Sequence, residues 1–523
     1  MDSVLVVGAG PTGLMLANQL ARRGLRPRII DRHDGPALQT RALGVQARTL
    51  EIYAHLGIAR NAIDLGKPAT GAQMWALGKR AARVPLGPAG RDLSAYSYIL
   101  ILGQDDNEKL LGEVLRKQGI EIEWNTELVG LVPGPDAVIA RLKGPDGAVR
   151  EEAASWVAGC DGARSAVRQI NQIEFQGAPY EHVFYVADTE MTGSMIPDEV
   201  NVYLWPGGFH LFFPLRGTDH WRIVGILPQA LRGRDDVTLD DVVPSIHQEA
   251  GDSLSFKNCS WFSTYRIHHR RAERFRKGRC FLLGDAAHIH SPVGAQGMNT
   301  GLQDAYNLGW KLALVASGAA GAELLDTYEA ERIPVASRLL STTDRFFRFI
   351  VSENRLAGAF RTRFLPNFLA FAMKFESAQR AAFRTISQVG ISYRDSPLSE
   401  SPTGAAGSGN GPRPGDRFPW LRLKLSPDGP VRDLFEEVDD TRFTLIAVGQ
   451  LGPDGPAPKW GGLVRTLAIP SDAENRRVLE RAGISSPSFF LLRPDGHIGL
   501  SGGRLEAADV SHYLSRRARL STD

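Results

Sequence analysis

The sequence predicts an α/β protein with a βαβ opening, an inserted and mostly antiparallel β-sheet, and a small α/β unit at the C-terminus. Three observations predict it. A short apolar run, Val4–Val7, leads into Gly8-Ala9-Gly10-Pro11-Thr12-Gly13 and then a helical pattern. From about residue 175 to 262, strand-like alternation replaces helical periodicity. Residues 401–419, SPTGAAGSGNGPRPGDRFP, then break the chain with Gly, Pro and Ser before strands and helices resume.

Each element follows from its pattern. Residues 11–23 place Leu14, Ala17, Leu20 and Ala21 on one helical face; Gly24 ends that helix, and residues 27–30 start a second strand. Helices are expected at 43–56 and 110–117, and strands at 120–124, 138–142 and 154–158 around the turn Pro145-Asp146-Gly147. The inserted sheet takes strands 182–190, 199–205, 210–214 and 221–227, separated by turns such as Pro206-Gly207-Gly208. Residues 280–283 return to a buried strand, and 298–317 form a helix. Past the break come strands 443–448, 466–469 and 488–492 with helices 474–481 and 507–516. The expected division is 1–174 and 271–400 for the two parts of the first domain, 175–270 for the sheet, and 401–523 for linker and last unit.

Composition removes several function classes. The 523 residues carry a net charge of only +3 and no Lys/Arg block, so no nucleic-acid partner is expected. Cys160, Cys259 and Cys280 form neither a C-x-x-C pair nor a cluster with His, so no metal site or disulfide framework is expected, and a reducing cytoplasm fits. The N-terminus lacks a basic start and a long apolar run, so no signal peptide is expected, and no apolar run reaches the roughly 18 residues of a membrane span. Residues 346–375 mix Phe and Leu with Arg; amphipathic helices packed on a domain is the reading preferred over a membrane-surface segment, and no membrane partner is expected.

Three segments carry chemistry. In the first, Gly8 permits a tight turn, Gly10 lets a pyrophosphate approach the backbone, and Gly13 lets helix and strand pack closely; Pro11 and Thr12 open the helix whose N-terminus favours phosphate. Asp31 ends the second strand at the distance expected for a ribose-binding carboxylate. The second is Gly159-Cys160-Asp161-Gly162-Ala163-Arg164-Ser165 with Arg168; alone, its Asp-Gly is simply a turn. The third runs from Gly284-Asp285-Ala286-Ala287-His288 to Pro292-Val293-Gly294-Ala295-Gln296-Gly297-Met298-Asn299. Asp285 follows a buried strand and suits a hydroxylated chain such as ribityl, while Gly294 and Gly297 leave room for a flat ring. Helix amides after Gly297 would stabilise negative charge on a reduced ring's N1–C2=O edge. Two distant segments for one long, flat cofactor point to flavin adenine dinucleotide (FAD).

In this order and spacing the three segments resemble the group A flavoprotein aromatic hydroxylases, over roughly residues 1 to 395. Further matches are Arg41-Ala42 with Arg48-Thr49-Leu50-Glu51, Gln104 with Glu108, and Tyr328 through Glu331-Arg332 and Pro334. The resemblance implies a Rossmann-like FAD-binding domain of the GR2, para-hydroxybenzoate-hydroxylase-like type. It implies tightly bound FAD, NAD(P)H as transient co-substrate, O2, and hydroxylation of a phenolic or polyketide-like aromatic through a flavin C4a-hydroperoxide. Gly8, Gly10, Pro11, Thr12, Gly13, Asp31, Arg32, Arg41 and Gln104 would meet FAD, and Asp161 would serve both flavin and nicotinamide. Asp285 would bind ribityl, and Pro292, Gly294, Gly297, Met298 and Asn299 would line the flavin ring. A C-terminal thioredoxin-like unit resembles that of the phenol, 3-(3-hydroxyphenyl)propionate and aromatic-polyketide hydroxylase branch through Ser486-Pro487-Ser488-Phe489-Phe490-Leu491-Leu492-Arg493-Pro494-Asp495-Gly496. All three cysteines lie outside it, so it has no dithiol, and a structural or dimer-supporting role is expected.

The substrate wall is expected on the inserted sheet, where Tyr203, Trp205, His210 and Phe212 alternate, so that one face presents His210 and Phe212 to the pocket. His210 is the candidate for orienting or deprotonating a phenol, with a structural histidine as the competing reading. Gln46 is a candidate polar pocket residue without basic character, and Pro292 a candidate on the flavin face. His288 is expected to brace its turn; His268, His269, Arg270 and Arg271 read as a solvated basic stretch, or as a contact for nicotinamide phosphate. A single Gly-rich fingerprint argues against flavin disulfide reductases and typical Baeyer–Villiger monooxygenases. Epoxidation or Baeyer–Villiger-type insertion on a non-phenolic substrate, and a flavin dehydrogenase without oxygen insertion, remain the alternatives.

Overall fold

The computed structural model describes residues 3–37, 42–251, 253–290, 294–352, 354–401, 411–426, 428–450, 460 and 462–521. Its first sheet has six strands in the spatial order Arg276–Lys277, Cys280–Leu282, Trp156–Gly159, Val4–Val7, Arg28–Ile30 and Ile122–Glu123. All neighbouring pairs are parallel except the first, a hairpin. Val4–Val7 is buried at every position because helices cover both faces of a parallel sheet. Helix Pro11–Ala21 packs on helices Gly297–Ala316 and Gln104–Lys117. Gly309 brings the first pair close: a Cβ there would lie 2.7 Å from Cβ of Gln19.

The stretch expected as a single strand over 154–158 is the meeting of two sheets. Val149–Ala154 closes a three-stranded antiparallel sheet with Val138–Lys143 and Glu127–Pro133; Trp156–Gly159 enters the parallel sheet, and Ser155 alone separates them. The helix expected over 43–56 is shorter, Ala47–His55, because Gly44–Val45 first pairs with Ile99–Ile101.

The largest sheet has eight strands and is mostly antiparallel: His288–Ile289, Ser255–Ala272, Phe175–Thr192, His220–Ile226, Gly208–Pro214, Val200–Trp205, Gly71–Ala76 and Lys79–Pro85. It is wider than the sequence suggests. Gly71–Ala76 pairs in parallel with Val200–Trp205, so the polypeptide preceding residue 175 contributes one edge. The sheet's two faces differ. Tyr185, Tyr203, Phe212 and Ile223 lie beneath helix Leu239–Ala250, packed on Leu239, Val242 and Ile246. On the other face, Phe184, Leu204, Phe209 and Ile226 meet Phe347 and Ile350 of the long helix Asp326–Val351. Further along that face, Val200, Val202 and Phe213 pack with Leu43, Ala69 and Ile101.

After residue 410 a four-stranded sheet takes the order Val464–Ile469, Phe443–Val448, Ser488–Leu492, Ile498–Gly502: one parallel pair, then two antiparallel pairs. Its core is Ile446, Val448, Ile469, Leu479, Phe490 and Leu492. Residues 402–410 of the expected linker lie outside the described residues. The helix expected over 507–516 is α-helical to His512 and continues as a π-helix, Tyr513–Arg517. Ion pairs tie this unit to the rest: the buried pairs Arg417 on Glu51 and Arg493 on Glu331, and half-buried Arg22 on Asp440. Cys160 and Cys280 are buried, Cys259 is exposed, and all three are free.

Residues 355–372 form the helices Arg355–Ala359, Phe360–Phe364 and Leu365–Ala372. Arg361 and Pro366 are buried, whereas Phe360, Phe364, Phe368, Phe371 and Phe375 are exposed. Among the described residues no helix is long and apolar enough to cross a membrane.

Candidate cofactor and active site

The first grip is steric. Gly8 has φ +102°, a left-handed conformation that favours glycine, and a Cβ there would fall 2.4 Å from the Cys160 carbonyl oxygen. A Cβ on Gly13 would lie 1.9 Å from the Gly8 carbonyl oxygen. Gly10 is open by contrast: its nearest neighbour would be Glu108 Oε1 at 4.0 Å. Gly10 caps helix Pro11–Ala21 with extended backbone and no side-chain cap, so the first-turn amides of Thr12 and Gly13 face an open approach. Asp31 accepts from the Ala9 N–H at 2.7 Å and from the His33 N–H at 2.9 Å, fixing its carboxylate beside the turn; Arg32 is exposed.

A cleft continues from this turn, lined by Ala9, Pro36, Glu108, Arg116, Ile122 and Trp124 among others. Glu108 accepts from the Ala37 N–H at 2.9 Å and from Gln104 Nε2 at 2.8 Å; burial pushes its carboxyl upward in pKa. Trp124 and Arg116 are lining residues that the motifs do not reveal. The one available signal is positional, since Trp124 follows the C-terminal end of a parallel strand, where such sheets bind ligands.

The second grip locks onto the first. A Cβ on Gly301 would lie 2.4 Å from Thr12 Oγ1, and one on Gly284 2.6 Å from the same atom. The turn Gly284–Ala286 therefore sits directly on the N-terminal fingerprint, some 270 residues away in sequence. Asp285 is exposed although Gly284, Ala286 and Ala287 are buried. Arg168, from the Asp161-Gly162 segment, donates to the Ala286 carbonyl at 2.9 Å and lies over the Phe175 ring. Asp161 accepts from the Val167 N–H at 3.1 Å; burial raises its carboxyl pKa against the hydrogen bonds it receives. His288 braces its turn by bonding Asp304 at 2.7 Å.

The loop after Gly294 is held by helix Ala47–His55. Gly294 has φ +79° and Ala295 +52°. Gln46 Nε2 donates to the Gly294 carbonyl at 2.9 Å, while Gln46 Oε1 is buried with no hydrogen-bond partner among the described residues. Asn299 is fully buried. It accepts from Gln46 N–H and Thr49 Oγ1 at 2.8 Å each, and donates to the Gly44 carbonyl at 2.7 Å and the Ala295 carbonyl at 2.8 Å. Its hydrogen-bonding groups thus hold the loop itself. Met298 Sδ accepts from Asn107 Nδ2 at 3.2 Å. A Cβ on Gly44 would meet Cβ of Ala295 at 2.5 Å, which presses this loop against the strand beside Leu43 and Ile99. Arg41 and Pro292 lie outside the described residues.

His210 departs from expectation. The alternation along its strand is present, but the face that carries His210 and Phe212 is the one sealed by helix Leu239–Ala250. His210 is 1% exposed, with Nδ1 at 3.0 Å from Tyr185 Oη and Nε2 at 2.5 Å from Glu249. The opposite face carries the alternate residues of the pattern instead: half-buried Val202, Leu211 and Phe213, of which Val202 and Phe213 pack with Leu43 and Ile101.

Such a site, with one glycine-rich grip for a pyrophosphate and a second for the far end of an extended group, defines a flavin-dinucleotide protein. Comparison with known proteins agrees. The FAD binding domain family matches residues 1–343, and the chain belongs to that family. The chain is 34% identical to 6-methylpretetramide 4-monooxygenase of Streptomyces rimosus, covering 99% of this chain and 94% of the relative. It is 32% identical to pentachlorophenol 4-monooxygenase of Sphingobium chlorophenolicum, covering 94% and 86%. Among solved structures, OxyS anhydrotetracycline hydroxylase from Streptomyces rimosus superposes with a TM-score of 0.76 at 29% identity over 98% of both chains. Aklavinone-11 hydroxylase, in a ternary complex with FAD and aklavinone, gives 0.78 at 27% identity over 99% of both. FAD is the cofactor this fold holds.

Proposed function

We propose that the protein is an FAD-dependent monooxygenase that draws reducing equivalents from NAD(P)H and hydroxylates a phenolic or polyketide-like aromatic with one atom of O2. Bound FAD supplies hydride acceptance and oxygen activation. The observation that carries the reading is the joint at Thr12, where Gly284 and Gly301 leave no room for a side chain and two remote segments become one continuous bed. In this reading the amides of Thr12 and Gly13 hold the pyrophosphate past Gly10 and Pro11. Asp31 marks the adenosine ribose, Arg32, Gln104 and Asp161 contribute further contacts, and Asp285 takes the ribityl hydroxyls. The loop Gly294 to Gly297 lies along the ring, with Met298 and Asn299 behind it. The N-terminus of the 20-residue helix Gly297–Ala316 favours negative charge at the ring edge. The buried, unpartnered Gln46 Oε1 accepts a hydrogen bond from flavin or substrate.

The chain's remaining work is to hold an aromatic ring and exclude water. Val202, Leu211 and Phe213 form the apolar wall for that. Relatives named for 6-methylpretetramide, pentachlorophenol and anhydrotetracycline favour an aromatic substrate. NAD(P)H needs a basic landing strip, and Arg164, Arg266, Arg270 and Arg271 make no ion pair among the described residues. They belong to the Asp161-Gly162 segment and to the edge of the large sheet, where Arg270 sits close enough to Arg168 to lower its pKa further after burial. The free thiols suit a cytoplasmic enzyme. A homodimer supported by the C-terminal unit completes the reading.

The test is a panel of phenols and polycyclic aromatics in which NAD(P)H oxidation accelerates with the right compound and 18O from labelled O2 enters the product. NAD(P)H loss without labelled product would identify a flavin reductase instead. Asp285→Ala is expected to weaken FAD retention by at least about tenfold, roughly 1.4 kcal/mol, on loss of its ribityl contact. Parent-like affinity in that variant would remove the ribityl assignment.

A further inference from the structure

We propose that Arg493, in the C-terminal unit, is a positioning residue for the flavin turn, so that this unit sets how tightly the protein retains FAD. The inference rests on the FAD-binding reading of the Gly284–Ala286 turn. Arg493 donates to both carboxylate oxygens of Glu331, at 2.6 and 3.0 Å, and to Asp495. Its guanidinium also lies over the Tyr393 ring, 5.3 Å from the centroid. The Tyr393 hydroxyl accepts from Arg332 Nη1 at 2.8 Å. Arg332 Nε then donates to Asp304 Oδ1 at 2.6 Å, and Nη2 to the Thr300 carbonyl at 3.1 Å. Asp304 Oδ2 ends the chain by accepting the Gly284 N–H at 3.0 Å and bonding His288 at 2.7 Å. Gly284 is the residue before Asp285.

Every charged member is sealed from water: Arg493, Glu331 and Arg332 side chains are 0% exposed and that of Asp304 is 1%. Charges so buried are tolerated only when each keeps its partners, so a change at one end is not absorbed by solvent but passed to the next group. The directions of the pKa shifts agree. Burial alone would raise the Asp304 carboxyl, yet Arg332 and His288 hold it below its ordinary value; burial would raise Glu331, yet Arg493 and Lys311 hold it low. Glu331 keeps Lys311 at 2.7 Å if Arg493 is lost. Tyr393 has Arg493 as the one Lys or Arg cation over its ring among the described residues and the His497 ring at 4.3 Å beside it, and Tyr393–Arg332 is the link through which the perturbation travels.

Apoprotein is titrated with FAD by flavin fluorescence, its unfolding is followed in parallel, and the visible circular dichroism of bound flavin is recorded. Arg493→Met is expected to raise the FAD Kd roughly 3- to 30-fold and to alter the bound-flavin spectrum, while the apoprotein still unfolds cooperatively. A folded Arg493→Met variant with parent affinity and spectrum overturns the proposal. Should that variant lose cooperative unfolding, Tyr393→Phe decides, since it deletes one hydroxyl and leaves every ion pair intact. A Kd raised roughly two- to fivefold with a shifted flavin spectrum supports the coupling, and parent values overturn it. The Asp285→Ala titration separates the two readings: it tests the proposed ribityl contact at the turn itself, whereas Arg493 touches no part of the cofactor bed.

Discussion

The two faces of the eight-stranded sheet are built from the same strands and yet differ in kind. One face is closed by helix Leu239–Ala250 and encloses a polar trio, Tyr185, His210 and Glu249, inside an apolar shell. The other is apolar around Phe184, Leu204, Phe209 and Ile226, carries the Arg222–Asp188 ion pair opposite Phe213, and is half-buried at Val202, Leu211 and Phe213. Alternation along a strand fixes which residues share a face. It does not fix which face is covered; a helix almost 30 residues downstream decides that. A buried histidine beside a tyrosine and a glutamate looks catalytic in isolation, and here it is a hydrogen-bonded element of the closed face.

The contrast breaks most easily at Phe213. Phe213→Asp places a carboxylate on the open wall, and the expected outcome is a loss of roughly 30- to 1000-fold in substrate-stimulated NAD(P)H oxidation, from about 2–4 kcal/mol of unfavourable polar burial against an aromatic ring. FAD content should stay at the parent level; loss of FAD instead of substrate response would mean that this face supports the cofactor loop only. His210→Leu sharpens the opposite face. It strips partners from Tyr185 and Glu249, and stability should fall by about 1–3 kcal/mol in denaturant unfolding, with turnover per bound FAD unchanged below the transition. A folded His210→Leu enzyme that binds FAD but has lost turnover would reverse the assignment of faces. The smallest effect is expected at Phe364→Ser, on the exposed outer stripe, where stability should change by no more than about 0.5 kcal/mol. A larger loss in analytical unfolding would reveal that the stripe is covered in solution.

Legibility in the sequence follows how local the cause is. The Gly8–Gly13 turn is readable because sterics dictate it within six residues, and the strands Phe443–Val448 and Ser488–Leu492 are readable to the residue because FTLIAV and SFFLL are short, almost wholly apolar runs. Ser255–Ala272 is hidden because it reads SFKNCSWFSTYRIHHRRA, polar on both sides, and forms a strand only through its 18-residue partner Phe175–Thr192. Gly71–Ala76 is hidden for a related reason: its parallel neighbour lies more than 120 residues further along. Asp285 and the glycines of the second grip stand out by motif, whereas Asp304 and its link to Arg332 do not, since neither residue type nor spacing marks a buried pair 28 positions apart. Glu331-Arg332 is visible as a family match, but its two side chains serve different partners, which only the packing of helix Asp326–Val351 reveals.

The solitary surface thiol has a practical corollary. Cys259 sits on the long strand Ser255–Ala272 while Cys160 and Cys280 are shut inside. A maleimide dye added to the native protein therefore lands at one address without any engineering. Energy transfer from that dye to the yellow prosthetic group would serve as a ruler, reporting how the sheet and the cofactor bed shift against each other as the enzyme cycles.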